Sequence, residues 1–339
     1  MGKKYVLWAL LVIMALAVFF RFWQIKSIPP GLYPDEAMNG NNALEAWENK
    51  DWKIFYPENN GREGLFINIQ AISLAVFGTE PWVTRGAAAF FGILTVLGLY
   101  FLTKELFKSE RAALLASFFL ATSFWHINFS RIGFRAILAP FFLVWSFYFL
   151  WKVIAKKCDF SSPEKKKQDF SSIGLAAGSL SKNTIKAGEE KSGFFFSALA
   201  GLFFGLGFHT YIAYRIAPLL LIIPFLLLWK AGPSTSLGIN QKKLIFVFLI
   251  FAFLAGLPLG LYFLQNPQDF LGRTSQISVF SAASPIKELG VNMAKTIGMF
   301  FWAGDYNWRH NLSGAPQLWW PMTILFFLGI GLAIKRVAA

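Results

Sequence analysis

Long stretches without a single charge constrain this chain more than any other feature. Apolar runs, charge-free but for Arg85 near the start of the second, occupy Tyr5 to Phe20, Trp82 to Thr103, Ala112 to Trp125, Ala136 to Trp151, Phe194 to Phe208, Ile216 to Trp229, Leu244 to Leu264 and Leu318 to Ile334. A bilayer core of roughly 30 Å takes about 20 apolar residues of helix, because a helix satisfies its own backbone polar groups where no water can. The third and fifth runs are short and need their polar flanks to complete a crossing. The expectation is an all-α integral membrane protein, one transmembrane domain over 1–339 with about eight spans. Composition agrees: 55% of the 339 residues are hydrophobic and only 15% charged, too apolar for a soluble domain of this length. The first run follows MGKK, as in a secretory signal. No small-residue cleavage site follows it, and RFWQIK reads as an interfacial anchor, so an uncleaved first span is expected.

A net charge of +14 in a soluble protein would suggest nucleic acid, but here its distribution has another reading. With the N-terminus inside, the cytoplasmic segments hold 19 of the 32 basic residues and 7 of the 18 acids, +12 inside against +2 outside. The positive-inside rule then sets the orientation in a plasma (inner) membrane and leaves no basic patch for nucleic acid. Two large loops face outward, 21–81 and 265–317. The insert at 156–192, rich in Ser and Lys and poor in aromatics, is expected as a disordered cytoplasmic loop. It contains the only cysteine, Cys158, so no intrachain disulfide can form. The sequons at Asn128 and Asn311 are three-residue patterns of low specificity.

Within the first outer loop, LFINIQAISLAVFG (Leu65 to Gly78) is too short to span and carries Asn68 and Gln70. It is expected as a helix along the outer surface, beside a second helix, DEAMNGNNALEAWEN, with Asp35 as N-cap.

Ion-coupled carriers place acids or His within their spans. Here Arg21, Arg85, His126, Arg131, Arg135, His209, Arg215 and the Asp35/Glu36 pair all fall at outer span ends or in outer loops. A site at the outer interface suits transfer of a group from a lipid phosphate. Cations stabilise the leaving phosphate, and a carboxylate takes the proton of the incoming hydroxyl. Alone, the acid pair fits more simply a helix cap beside a solvated neighbour.

The arrangement as a whole adds to this. One span, an outer loop opening with YPDEA, a surface helix and then EPWVTRGAAAFFGILTVLGLYFLTKELF resembles the GT-C class of membrane glycosyltransferases. The likeness is to the branch of protein O-mannosyltransferases and the lipid A aminoarabinose transferase. SRIGFRA, FHTYIAYRIAPLLL and GDYNWRHNLSGAP resemble further outer connections of that family. The resemblance implies that Asp35 is the catalytic base with Glu36 beside it. Where the family often has a His- or Lys-Pro-Pro-Leu segment, this chain has GREGLF, which makes Arg62 the cation there, with Glu63 next to it. Relatives usually carry more spans, so the chain reads as a short or C-terminally truncated member.

Arg62, Arg131 and Arg135 are the phosphate candidates; as plain interfacial residues they would be headgroup anchors. Tyr33, His209, Tyr211 and Arg215 are candidates to line a sugar pocket, although such a cluster also suits an interfacial belt. Asp305, Asn307, Arg309 and His310, near Trp302 and Trp308, are a mixture suited to a sugar. No cofactor is expected. A divalent metal stays open, since Asp305 and His310 supply two potential ligands, too few for a site. The expected function is inverting transfer from a polyprenyl-phosphate-linked sugar to a hydroxyl of a protein, lipid or glycan at the outer face. The alternatives are a lipid-linked saccharide flippase or carrier, and a surface polysaccharide polymerase or ligase.

Overall fold

A computed structural model describes residues 2–155, 178–230 and 241–338. The chain opens with α1 (Lys3–Phe22) and α2 (Pro34–Glu48), followed by a small hairpin of β1 (Phe55–Tyr56) and β2 (Arg62–Glu63). Next come α3 (Leu65–Phe77), α4 (Pro81–Phe107), α5 (Glu110–Thr122), α6 (Phe124–Arg131) and, after a 3-10 turn at Arg135–Ile137, α7 (Leu138–Ala155). The second half comprises α8 (Gly178–Gly207), a 3-10 stretch (Ile212–Leu221) leading into α9 (Ile222–Lys230), and α10 (Gln241–Gln265). It ends with α11 (Pro267–Ile277), a short 3-10 turn (Val279–Ser281), α12 (Pro285–Met299) and α13 (Trp320–Ala338).

Each of the eight apolar runs lies on helix, and the protein is all-α apart from the two-residue strands. Among the described residues, four helices are long and apolar enough to cross a membrane: Lys3–Phe22, Pro81–Phe107, Arg135–Ile154 and Lys242–Gln265. A fifth results if α5 and α6, bent by 56° at their junction, count as one span. The junction residue Ser123 is extended (φ −63°, ψ 118°), which ends one helix and starts the next. The expected number of eight is therefore not confirmed among the described residues. Leu65–Phe77, Lys191–Gly207, Ile212–Leu226 and Trp320–Leu332 are apolar but shorter. In the sixth run Pro218, which lacks an N–H, lies in 3-10 rather than α geometry.

Lipid-facing character shows in what stays uncovered. Leu7, Trp8, Leu11 and Val12 of α1 and Phe246, Phe253 and Leu254 of α10 are exposed, an apolar exterior that hydrocarbon accommodates and water does not. The interior is largely aromatic, with Phe66, Phe141, Phe142, Phe204, Tyr214 and Phe248 packed between α3, α4, α7, α8 and α10. Gly201 and Gly205 let α8 approach α10 closely. A β-carbon at either would collide with the carbonyl of Phe248 or Ala252.

Residues 156–177 of the Lys-rich insert lie outside the described residues, as does Cys158. From Gly178 the chain is helical, so the loop expected to run to 192 gives way earlier to the first turns of α8. Ala, Lys and Glu in AGEEKS favour that extension. The first loop forms the two expected helices, with one correction. The N-cap of α2 is Tyr33, not Asp35; Pro34 takes the first helical position, and the Glu36 carboxylate accepts from the Tyr33 backbone N–H at 3.3 Å.

Candidate functional site

The end of the bundle where α1 and α6 finish and α4 begins is held by buried arginines. Arg85 donates from Nε to Glu36 Oε1 at 2.5 Å and from Nη2 to Glu36 Oε2 at 3.2 Å. Its remaining donors reach the carbonyls of Ile25 (3.1 Å), Pro29 (2.9 Å) and Gly31. This one side chain fixes the turn between α1 and α2 and the first turn of α2. Arg62 ties the hairpin to the middle of α2, donating to Asn39 Oδ1 (2.8 Å), Asn42 Oδ1 (2.6 Å) and the Glu58 carbonyl (3.3 Å). Burial and the neighbouring Arg135 lower the Arg62 pKa.

Arg131 caps the C-terminal end of α1. It donates to the carbonyls of Phe20 (2.7 Å), Trp23 (2.7 Å) and Ile28 (2.8 Å), groups that a helix end leaves without intrahelical partners. Arg135 pairs with Glu63 at 3.3 Å, reaches the Gly61 carbonyl at 3.4 Å and lies 5.4 Å from the centre of the Tyr211 ring. All three phosphate candidates are thus buried and hydrogen-bonded by protein acceptors. Glu36 and Glu63, 1% and 3% exposed, are likewise engaged by arginines.

Asp35 differs. Second residue of α2 and half-buried, it has its Oδ1 held by the Asn59 amide. Asn59, Asn60 and Gly61 have φ of 54°, 61° and 81°, the left-handed conformations that Asn and Gly tolerate best, and these let the β1–β2 turn fold back toward α2. Tyr33, two residues before Asp35, has the Arg309 guanidinium 4.3 Å over its ring. Its hydroxyl is close to both Asp35 and Arg309. Burial raises the phenol pKa; Arg309 opposes this and the Asp35 carboxylate reinforces it. Arg309, although 274 positions from Asp35 in the chain, completes the cluster. It is delivered by the loop between α12 and α13, which Asn128 of α6 anchors by donating to the Arg309 carbonyl at 2.7 Å.

That loop is shaped by its own side chains. Asp305 accepts from the Asn307 N–H (2.9 Å) and the His310 ring (3.2 Å), and Asn307 accepts from the Arg309 N–H (3.1 Å). Asp305 and Asn307 thus build the turn that presents Arg309 and His310. His209 bonds the Ala255 carbonyl at 2.8 Å. Arg215 donates to the Phe270 carbonyl (3.1 Å) and Thr274 (2.8 Å) and so anchors α11. Among the described residues no group of three or more His, Cys, Asp or Glu is placed to hold a metal ion.

Sequence reasoning missed Asn59 and the structural weight of Arg21 and Arg85. Arg21, with no exposure, donates to His126 Nδ1 (2.7 Å), Ser130 (3.2 Å) and the carbonyls of Ala17 (3.1 Å), Leu120 (3.4 Å) and Ala121 (3.2 Å). An arginine one residue from the end of an apolar helix was the available signal.

Residues 60–188 match the family model described as dolichyl-phosphate-mannose-protein mannosyltransferase, which covers less than half of the chain. No curated protein matches the chain. Among solved structures it resembles the archaeal oligosaccharyltransferase AglB from Archaeoglobus fulgidus in complex with an inhibitory peptide and a dolichol-phosphate. That match has a TM-score of 0.52 and 17% identity, covering 88% of this chain and 37% of that one. The apo oligosaccharyltransferase crystal structure from the same organism matches with a TM-score of 0.48 and 17% identity, covering 88% of this chain and 38% of that one. The chain therefore spans well under half the length of these proteins, and what it shares with them is the fold. A segment matching the mannosyltransferase family model, residues 60–188, thus lies within a chain whose fold resembles that of the archaeal oligosaccharyltransferase.

Proposed function

We propose that the protein transfers a sugar from a polyprenyl-phosphate donor to an acceptor hydroxyl at the outer membrane face, with inversion at the anomeric carbon. The observation that carries this reading is the separation of roles among the site carboxylates. Glu36 and Glu63 are buried in arginine pairs, while Asp35 stays half-buried beside Tyr33 and Arg309. A base must reach its substrate, and Asp35 is the carboxylate of the three that can.

In this mechanism the acceptor oxygen attacks the anomeric carbon as its proton passes to the Asp35 carboxylate. The bond from that carbon to the phosphate oxygen breaks, and the electron pair leaves with the polyprenyl phosphate. Asn59 holds the other side of the carboxylate. Asp35 lies in the first turn of α2, at the positive end of the helix dipole. Arg309, paired with no carboxylate among the described residues, stabilises the charge growing on the phosphate. Glu36 acts as a positioning residue through Arg85. The neighbour bound to a dolichol-phosphate and a peptide supports a lipid-phosphate donor and makes a protein hydroxyl one candidate acceptor.

The test is to supply purified protein with a β-linked polyprenyl-phosphate sugar and determine the anomeric configuration of the product. An α-linked product is expected. A β-linked product would mean a covalent or dissociative route in which Asp35 is not the base described.

A further inference from the structure

Between α10 and α13 the chain forms a helix that almost nothing in the protein supports. None of the residues of α12 (Pro285–Met299) is buried, and every position from Ile286 to Ile297 is exposed. A β-carbon added at Gly290 would meet nothing within 4 Å. An isolated helix of this length is marginal in water, and its internal glycines, Gly290 and Gly298, weaken it further. Some other surface has to hold it.

The pattern of the helix says what kind of surface. Ile286, Leu289, Met293, Ile297 and Phe300 recur at spacings of three and four and fall on one stripe, while Glu288, Asn292 and Lys295 fall opposite it. The stripe is uncovered by the rest of the chain: Ile286 is 87% exposed and Met293 and Ile297 more than half. Continuity identifies the covering surface as lipid. α10, long and apolar enough to cross a membrane, ends shortly before with Leu264 79% exposed, and the apolar α13 begins at Trp320. Between α12 and α13, Trp302, Tyr306, Trp308 and Trp319 are all exposed, and Trp and Tyr are the residues that gather at headgroup level. Lys287 and Lys295 can lay their stems along the helix and keep their ammonium groups among the headgroups. A soluble partner would need no such aromatic belt beside it.

We infer that α12 is an interfacial anchor, with its apolar stripe in the boundary between headgroups and acyl chains on the side of the Asp35 cluster and its polar face toward water. The loop that carries Arg309 starts where α12 ends, so the anchor sets the height of Arg309 relative to the bilayer. The placement of the helix stands on its own exposure and pattern. Its purpose rests on the proposed transfer reaction: it holds Arg309 at the depth where the phosphate of a lipid-borne donor lies.

The test uses the full chain with Cys158→Ser in nanodiscs of phosphatidylethanolamine and phosphatidylglycerol, carrying a nitroxide spin label on single cysteines introduced from Ile286 to Ile297. Collisions with oxygen report lipid, and collisions with a soluble nickel chelate report water. Oxygen contact should peak at Leu289, Met293 and Ile297 and nickel contact at Glu288, Asn292 and Lys295, out of phase with a period of about 3.6 residues. Nickel contact at every position would leave the helix in water and overturn the inference. Exclusion of both reagents from the stripe would show it covered by protein, a second copy or another segment, and overturn it equally. Met293→Asp combined with Ile297→Asp should bring a label at Leu289 into contact with nickel. The thermal unfolding midpoint should not change, because neither side chain is packed in the bundle. In that variant the KM for a polyprenyl-phosphate sugar should rise roughly tenfold or more, since two apolar side chains no longer hold the loop at the bilayer. An unchanged KM would overturn the role in placing Arg309. The spin-label measurement contains no donor, so the expected pattern in a protein that transfers no sugar would keep the anchor and remove the reaction.

Discussion

Glu36 and Arg85, 49 residues apart, grip each other at two points in a space almost closed to solvent, with side-chain exposures of 0% and 2%. A buried pair of this kind is expensive to break, because the remaining charge keeps its desolvation cost without its partner. Glu36→Ala should therefore destabilise the protein by about 3–5 kcal/mol, read as a large drop in the thermal unfolding midpoint in detergent. Glu36→Gln, which can still accept from Arg85, should cost less. An unchanged midpoint for Glu36→Ala would mean that the pair does not order the loop.

The arginines divide into two groups that mutation should separate. Arg62→Ala and Arg131→Ala each leave several buried acceptors without donors, so they should lower stability while the surviving folded protein transfers sugar at close to the parent rate. Arg309→Ala should behave in the opposite way. Folding should persist, while transfer falls by the equivalent of about 2–4 kcal/mol, with partial recovery in Arg309→Lys. Transfer rates per folded molecule in the three alanine variants decide the matter. A catalytic loss confined to Arg62→Ala or Arg131→Ala would return the phosphate to the arginines first expected to hold it.

The apolar runs were legible because hydrocarbon demands the same pattern of every helix, whatever it packs against. The opening of the first loop was legible too, since proline followed by two acids marks a helix start. The partners of those acids were not. Glu36 finds Arg85 across 49 residues, and Arg131 caps α1 across 111, and no local pattern encodes either pairing. Arg309 reaches Tyr33 only because the Asp305 and Asn307 side chains fold their own loop. The sequence marked that loop as suited to a sugar without showing where it goes. The count of eight spans is not confirmed, and an apolar run reveals neither the break at Ser123 nor the 3-10 geometry around Pro218.

The proposed function requires the Asp35 cluster to face outward, the orientation expected from the charge split of +12 against +2. With Cys158 changed to Ser, cysteines introduced singly at Asn60 and Ser313 should react with a membrane-impermeant maleimide added to intact cells. One introduced at Lys165 should react only after permeabilisation. Labelling of Lys165→Cys from outside would invert the topology and place the cluster on the wrong side for the proposed reaction.

Asp35→Asn tests the central claim most directly, because it preserves the shape at the start of α2 while removing the base. Transfer from a polyprenyl-phosphate sugar should fall about a hundredfold or more. Donor affinity, measured separately on the same purified protein, should stay within a few-fold of the parent. A variant that transfers sugar at the parent rate would show that Asp35 is only a half-buried helix residue bonded to Asn59, and the proposed mechanism would have no base.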